Sequence, residues 1–306
     1  MCRRWRTIIF SSQHRLDLRL LCTERLPIEI TLDLWPAFPI IVQYPSGSLS
    51  PDDRDKIADV LQQHDRVCEI ELGPKHSLSE KESQIIQESF PLLEPPSLCS
   101  WKAPKPVLPS TFLAGSAPRL RVLNLYGISF PALPRLLSSA GDLTDLLLHR
   151  VPNISPEALL SGLSAMPRLK TLHLLFSSAT SRIIPRNTPP PSSGRIIFST
   201  LICLNFSGSS NYLEDLLSRT TAPSLKQASI EFLNQARYNF SQLSQFLGRV
   251  ESQRPHNGVQ GILCISGGFV YRTGERQGSP PDMLESLSLN LTLKVSMLYQ
   301  MSLICQ

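Results

Sequence analysis

The histidines are the first residues to consider for chemistry, because imidazole can ligate a metal or transfer a proton near neutral pH. The chain has six histidines, and no two form an HxH or HxxxH pair. Neither a GxSxG segment nor a Walker-type GK[ST] segment occurs. Gly267 and Gly268 could open a phosphate loop, but no helix signal follows, so we interpret them as an ordinary loop. We expect no catalytic residues, no metal and no cofactor, and the chain is not expected to be an enzyme.

The cysteines are the second candidates, because a thiolate can act as a nucleophile or a metal ligand. There are seven, an odd number, and they include no CxxC pair. This usage is typical of buried, reduced thiols. The sequence also contains no signal-peptide core and no stretch long enough for a membrane span. We therefore expect a cytoplasmic or nuclear protein without a membrane partner.

The charge of the chain argues only weakly for a nucleic-acid partner. The formal net charge is +5, but most Lys and Arg residues are scattered and only 7% of residues are aromatic. Nucleic-acid surfaces usually combine a dense basic stripe with aromatic side chains. No specific nucleic-acid binding is expected.

A repeated pattern of apolar residues supplies the elements that would position any site. Apolar side chains recur at relative positions 0, 3 and 5, and successive copies begin 23 to 34 residues apart. The clearest copies are Val67/Ile70/Leu72, Leu120/Leu123/Leu125, Leu143/Leu146/Leu148, Leu169/Leu172/Leu174, Leu201/Leu204/Phe206 and Leu225/Ala228/Ile230. Weaker copies begin at Leu93, Val259 and Leu284. The spacing is similar to that of leucine-rich repeats.

Helix signals lie between the predicted strands. Ser50 and Ser155 are N-caps that precede a proline and acidic residues, and Ser79 with Glu82 forms a capping box for a helix to about Glu88. Further helices are predicted at Ala132–Ser139, Tyr212–Thr220 and Gln242–Glu251. Each repeat is therefore predicted to be one strand plus one helix.

Such a unit cannot bury its apolar face alone, so neighbouring units must stack. The sequence predicts an α/β fold: a right-handed leucine-rich-repeat solenoid with a curved parallel sheet and helices on the convex side. Positions 3 and 5 of each strand point inward, so positions 2, 4 and 6 line the concave face. The predicted protein-binding residues on adjacent strands of this face are Asn124, Tyr126, His149, His173 and Asn205.

These five residues are expected to form one continuous patch, with Glu69, Glu71 and Glu231 as an acidic rim. His149 and His173 fall one repeat apart, so a metal site is an alternative to a polar binding surface. Solvated strand surface without a partner is the other alternative.

Three stretches depart from the repeat. Residues 177–197 are rich in proline, serine, threonine and arginine, and we interpret them as a mobile insertion. Residues 265–283 contain glycines and prolines where a helix would be expected, and residues 295–306 form an atypical apolar tail. Pro95 and Pro96 damage the copy that begins at Leu93, and we expect the weakest point of the sheet there.

The amino-terminal segment Cys2–Ser12 resembles the last helix of an F-box domain, with Arg3, Arg4, Trp5 and Arg6 as its most recognisable residues. The following linker and the repeats are similar to fungal F-box and leucine-rich-repeat proteins. The implied organisation is a remnant of the F-box at 1–12, linker strands at 13–48, the repeat domain at 49–294 and the tail at 295–306. Leu26-Pro27-Ile28-Glu29 has the spelling of an F-box start but lies after the Trp5 segment, so we interpret it as coincidence.

The resemblance implies a substrate-recognition subunit of a cullin-RING ubiquitin ligase. In that family the F-box binds a Skp-type adaptor and the repeats bind a protein substrate. Only the last F-box helix is recognised here, so we expect adaptor binding by residues 1–306 to be weak or absent. The alternative is a ribonuclease-inhibitor-like protein-interaction module with no ligase role.

Overall fold

The computed structural model describes residues 4, 7–8, 18–23, 38–44, 51–73, 79–99, 106–151, 154–176, 195–233, 241–252, 260–269 and 285–294. The chain divides into two compact units, Met1–Met166 (unit 1) and Pro167–Gln306 (unit 2). Both combine β-strands with α-helices, and the predicted α/β fold with a large parallel sheet is confirmed.

The described part of unit 1 contains six strands that pair in chain order, each parallel to the next in the pairings resolved within the unit. They are β1 (Leu20–Cys22), β2 (Ile40–Tyr44), β3 (Val67–Leu72), β4 (Pro96–Cys99), β5 (Val122–Tyr126) and β6 (Asp145–His149). Strands β1 and β2 fall in the predicted linker, and they belong to the same sheet as the repeat strands.

Helices follow the strands of unit 1 as α1 (Pro51–Leu61), α2 (Glu80–Ile85), α3 (Leu133–Ser139) and α4 (Pro156–Leu163). The predicted capping box of α2 is present: Glu82 N–H donates to Ser79 Oγ, and Ser79 N–H donates to the Glu82 carboxylate. The Ser155 hydroxyl accepts from Ala158 N–H and caps α4. Local cap chemistry therefore begins these helices where the sequence indicates.

The core of unit 1 lies between the sheet and the helices. Leu123 pairs with Leu146 and Leu125 with Leu148 across β5 and β6, and all four are fully buried. The residues that alternate with them are half-exposed. Burial of a leucine stabilises the fold by roughly 1.5 to 3 kcal/mol, so this leucine ladder fixes which side of each strand faces the helices.

The described part of unit 2 contains β7 (Thr171–Leu175), β8 (Ile196–Ile197), β9 (Cys203–Gly208), β10 (Thr220–Thr221), β11 (Gln227–Phe232), β12 (Gln260–Phe269) and β13 (Glu285–Lys294). Strands β7, β9 and β11 are parallel neighbours. The helices are α5 (Ser210–Ser218) and α6 (Ser241–Ser252). Helix α5 is capped by the Ser209 hydroxyl, which accepts from Tyr212 N–H.

A buried carboxylate joins the two helices of unit 2. Glu214 on α5 is 6% exposed. Its side chain accepts hydrogen bonds from Ser241 Oγ at 3.1 Å, Gln242 N–H at 2.7 Å and Leu243 N–H at 2.9 Å. These donors form the first turn of α6, where backbone N–H groups have no partner within the helix. Glu214 on α5 thus caps the amino-terminal end of α6.

The structure corrects three expectations about the repeats. Between β4 and β5 the described residues form a short 3-10 turn, Phe112–Gly115, rather than an α-helix. Leu113 and Ala114 both have φ of 54° there, which an α-helix cannot accommodate. The predicted insertion 177–197 is also too long, because Ile196–Ile197 pair with Thr220–Thr221. The remaining residues of that insertion, up to 194, lie outside the described residues.

The third correction concerns the last two copies of the repeat. Strand β13 is antiparallel to both β11 and β12, so the parallel series ends at β11. Part of the stretch predicted as loop, up to Phe269, belongs to β12. An antiparallel pair needs only a reversing connection, whereas a parallel pair needs a crossover that usually contains a helix. The glycine- and proline-rich segment after β12 carries no helix signal, which agrees with the antiparallel pairing.

Candidate binding surface

The outward face of the unit 1 sheet contains three of the five predicted binding residues. Asn124, Tyr126 and His149 are half-exposed, and they alternate with buried leucines. This alternation follows from the pleat of a β-strand, in which successive side chains point to opposite faces. Asn124, Tyr126 and His149 thus lie on the side of the strands opposite the buried leucines.

Tyr126 and His149 occupy directly paired positions of β5 and β6. Their ring centroids are 5.7 Å apart with the planes at 45°. Gly127 N–H donates to His149 O at 2.7 Å, which holds the carboxyl ends of the two strands together. The two rings thus present one rigid aromatic patch at this edge of the sheet.

Arg150 completes the patch, although sequence reasoning did not single it out. Its guanidinium carbon lies 5.5 Å from the centre of the Tyr126 ring, within the range of a cation–π interaction. The backbone of Arg150 is left-handed, with φ of 54°. This conformation turns the chain directly after β6. Only its position after a paired strand end could have suggested this role.

A row of polar side chains crosses the same face. Gln43 Nε2 donates to Glu71 Oε2 at 2.8 Å, and Asn124 Nδ2 donates to Ser97 Oγ at 3.3 Å. Glu71 pairs in register with both Gln43 and Ser97, and Ser97 pairs with Asn124, so the row runs across β2, β3, β4 and β5. Gln43 and Ser97 are further residues that sequence reasoning missed. The repeat register was the signal that could have found Ser97.

The other two predicted residues lie in unit 2. His173 on β7 and Asn205 on β9 are paired in register and half-exposed. Asn205 Nδ2 is 3.0 Å from His173 Nε2, so the amide can donate to the imidazole when that nitrogen is unprotonated. Ser229 on β11 is the next residue in this row. Unit 2 therefore also presents a polar row on its parallel strands.

The predicted F-box remnant is largely outside the described residues. Arg4 is helical and exposed. Arg3, Trp5 and Arg6 are not described, and neither are residues 24–37, which include Leu26-Pro27-Ile28-Glu29, or residues 295–306 of the predicted tail.

Burial raises the pKa of four cysteine thiols in the described part of the chain, which favours their protonated form. Burial raises the pKa of the Cys22 thiol to about 11, and a weaker electrostatic effect of Arg66 opposes this. Burial likewise raises the pKa of the Cys68, Cys99 and Cys203 thiols. Cys68 Sγ donates to Ile40 O at 3.3 Å, as a small polar residue within the sheet would. These four side chains therefore have little nucleophilic character.

Metal binding, membrane insertion, disulfide bonding and similarity to known proteins remain to be considered. Among the described residues, no three His, Cys, Asp or Glu side chains are grouped as metal ligands. No helix in the described part of the chain is both long and apolar enough to span a bilayer. The four cysteines whose side chains are described form no disulfide bond; they are Cys22, Cys68, Cys99 and Cys203. Comparison of the chain with protein-family models, curated proteins and solved structures found no match.

Proposed function

We propose that this chain is a leucine-rich-repeat protein, with its strands arranged as a right-handed solenoid, and that it binds a protein partner through the outward face of its parallel strands. The observation that carries the proposal is the one-sided burial of the unit 1 sheet. Parallel sheets normally have both faces covered. Here one face carries the buried leucines of the core, while the other carries half-exposed aromatic, amide and carboxylate side chains.

The composition of this face suits protein recognition. Tyr126, His149 and Asn124 combine aromatic area with hydrogen-bonding groups, and their contacts within the sheet restrain them. Restrained side chains lose little conformational entropy when a partner binds. Aromatic residues are also enriched among those that contribute most to binding energy. Carboxylates at Glu69 and Glu71 suit the rim of such an interface.

The ligase role extends this proposal and rests on the amino-terminal resemblance. In that version, the repeat face selects a protein substrate for a cullin-RING ubiquitin ligase in the cytoplasm or nucleus. Co-purification of a Skp-type adaptor and a cullin with the tagged chain would support it. Recovery of a protein partner without the adaptor would favour a binding module that acts without a ligase.

The binding proposal is tested by proximity labelling with the full chain, followed by affinity measurements on a purified partner. Tyr126→Ala probes the face of unit 1, and His173→Ala probes that of unit 2. Each substitution is expected to weaken binding by roughly 1 to 3 kcal/mol if its unit contributes to the interface, while the protein stays folded. Arg135→Ala on α3 is the control on the helical side. Unchanged affinity in both face variants would place the site elsewhere and contradict the proposal.

A further inference from the structure

The outward face of unit 1 has a charge opposite to that of the whole chain. The formal net charge of the protein is +5. The outward positions of β2 to β6 nevertheless include three carboxylates, Glu69, Glu71 and Asp145, and no lysine or arginine. The outward side chains are Ile41, Gln43, Glu69, Glu71, Ser97, Cys99, Val122, Asn124, Tyr126, Asp145, Leu147 and His149.

These carboxylates have no cationic partner among the described residues. Glu71 accepts from the neutral amide of Gln43 at 2.8 Å. Asp145 accepts from the hydroxyl of Thr144 at 2.6 Å. No ion pair within the described part of the chain involves Glu69, Glu71 or Asp145.

The arginines near this face have other contacts. Arg121, which precedes β5, lies 3.9 Å from the Glu94 carboxylate. Arg150, which follows β6, is positioned over the Tyr126 ring. The acidic side chains of the face are thus not neutralised from its edges by these arginines.

We propose that the face of unit 1 binds a basic segment of a protein partner, an extended stretch that carries Lys or Arg side chains; this inference rests on the proposed function. Covering these three carboxylates with a neutral surface would remove their hydration without compensation. A cationic segment replaces that hydration with charge-assisted hydrogen bonds and also accelerates association. The same carboxylates repel phosphate groups, which disfavours nucleic acid and anionic lipid as the occupant.

The spacing of the acids suits an extended chain. Glu69 and Glu71 are two residues apart on β3, a separation of about 7 Å. Asp145 is three strands away on β6, about 14 Å at the usual strand spacing, which an extended segment spans in about four residues. Tyr126, on β5 between β3 and β6, adds an aromatic surface between the acidic side chains. A basic residue at about every fourth position would therefore meet these groups.

The probe is a fluorescent twelve-residue peptide with lysine at every fourth position, and the reference is the same peptide with acetyl-lysine. The full chain is compared with the triple variant Glu69→Gln, Glu71→Gln, Asp145→Asn. The matched control triple is Asp65→Asn, Glu80→Gln, Glu88→Gln, which removes the same number of exposed charges outside the strands. Circular dichroism and thermal unfolding report whether each variant is folded.

We expect the lysine peptide to bind the wild-type chain and the acetyl-lysine peptide not to bind. The face triple should weaken lysine-peptide binding by about tenfold or more, against about twofold or less for the control triple. Equal losses of affinity in the face triple and the control triple would mean that only the overall charge matters, and would overturn the inference. Equal affinity of the wild-type chain for the two peptides would also overturn it. Carbodiimide cross-linking of the wild-type chain needs no variant. It should join the peptide to Glu69, Glu71 or Asp145 in preference to Glu80 and Glu88, and the reverse preference overturns the inference.

A natural partner, once purified, separates the two proposals. Binding that is weakened by Tyr126→Ala but unaffected by the face triple would retain the proposed function and reject the basic partner. Binding that none of the face substitutions in unit 1 or unit 2 affects would reject both.

Discussion

Arg150 is the residue whose backbone and side chain have opposing effects on stability. Its left-handed conformation, with φ of 54°, costs an L-residue roughly 1 to 2 kcal/mol. The contact of its guanidinium with the Tyr126 ring stabilises the folded state by about 0.5 to 1 kcal/mol, the usual value for an exposed cation–π pair. The cation–π contact thus offsets only part of the strain, and the turn after β6 remains strained.

Arg150→Ala is expected to destabilise the protein, because it loses the cation–π contact and retains the strain. Arg150→Gly loses the same contact but relieves the strain, although glycine also gives the unfolded chain more freedom. We expect the glycine variant to be more stable than the alanine variant by about 1 kcal/mol in urea unfolding. The opposite order would show that the turn is not strained.

At this scale, sequence periodicity predicts which side chains point outward, because a strand alternates faces every residue. Asn124 and His149 follow that rule. The periodicity does not predict that Asn124 contacts Ser97 or that Arg150 lies over Tyr126. Those contacts depend on strand register and on side-chain rotamers, which apolar spacing does not encode.

Helices α3 and α4 approach each other at Gly162. A Cβ atom added there would lie 2.9 Å from Leu137 Cβ and 3.2 Å from Pro134 O. Neither atom is the flexible end of a side chain, so the helices would have to separate. The absence of a side chain at this position is what permits the close packing.

Gly162→Ala is expected to lower the free energy of unfolding by about 1 to 2 kcal/mol, because overpacking outweighs the gain in helix propensity. The matched substitution is Gly248→Ala in α6, where an added Cβ meets no atom within 4 Å. This variant should be more stable than wild type by about 0.5 to 1 kcal/mol. Chemical denaturation distinguishes the two, and a stabilised Gly162→Ala protein would contradict the packing argument.

The hydrogen bonds from α6 to Glu214 are expected to contribute to the stability of unit 2. Glu214→Gln has the same shape but replaces one acceptor oxygen with a donor that faces the N–H groups of α6. We expect a loss of about 1 to 2 kcal/mol and faster amide exchange at Gln242 and Leu243. Glu231→Gln on the outward face of β11 is the control and should change stability by less than about 0.5 kcal/mol. Equal effects of the two substitutions would exclude a capping role.

Short-range signals in the sequence predicted the helices but not the tertiary contact that caps α6. Local residues indicate where α2 and α4 begin: Ser79 with Glu82 for α2, and Ser155 with Pro156 for α4. Glu214 acts on a helix 27 residues later, so no local pattern reveals it. Five strands begin two residues after the start of their apolar pattern, namely β5, β6, β7, β9 and β11, whereas β3 begins with its pattern at Val67. Leu120 N–H, for example, bonds to Ala117 O in a turn before β5.

At the scale of the molecule, the repeat in the sequence implies a parallel sheet, because units of one strand and one helix must share a core. That reasoning succeeds for β3 to β6 in unit 1 and for β7, β9 and β11 in unit 2. It fails at β13, where the pattern of apolar residues persists but the strand runs antiparallel. Alternating apolar residues suit either direction, so the apolar pattern alone does not predict how that strand runs.

Two adjacent prolines, Pro95 and Pro96, lie in the middle of the unit 1 sheet. Pro96 lies in β4 and pairs with Ile70 of β3, but proline has no N–H to donate to a ladder. The bond from Ile70 N–H to Pro95 O is 3.4 Å long, whereas Gly127 N–H reaches His149 O in 2.7 Å. A sheet with fewer and longer hydrogen bonds at one strand should open locally at that strand.

Amide hydrogen exchange in β4 is therefore expected to be faster than in β7, Thr171–Leu175, which contains no proline. Pro96→Val restores an N–H in a residue that favours strands, places no hydroxyl at this buried position, and should slow exchange at Ser97 and Leu98. The control is Pro131→Val, which lies outside the strands and should leave β4 exchange unchanged. If β4 exchanges no faster than β7, other contacts compensate for the prolines, and the sheet of unit 1 has no weak point at this strand.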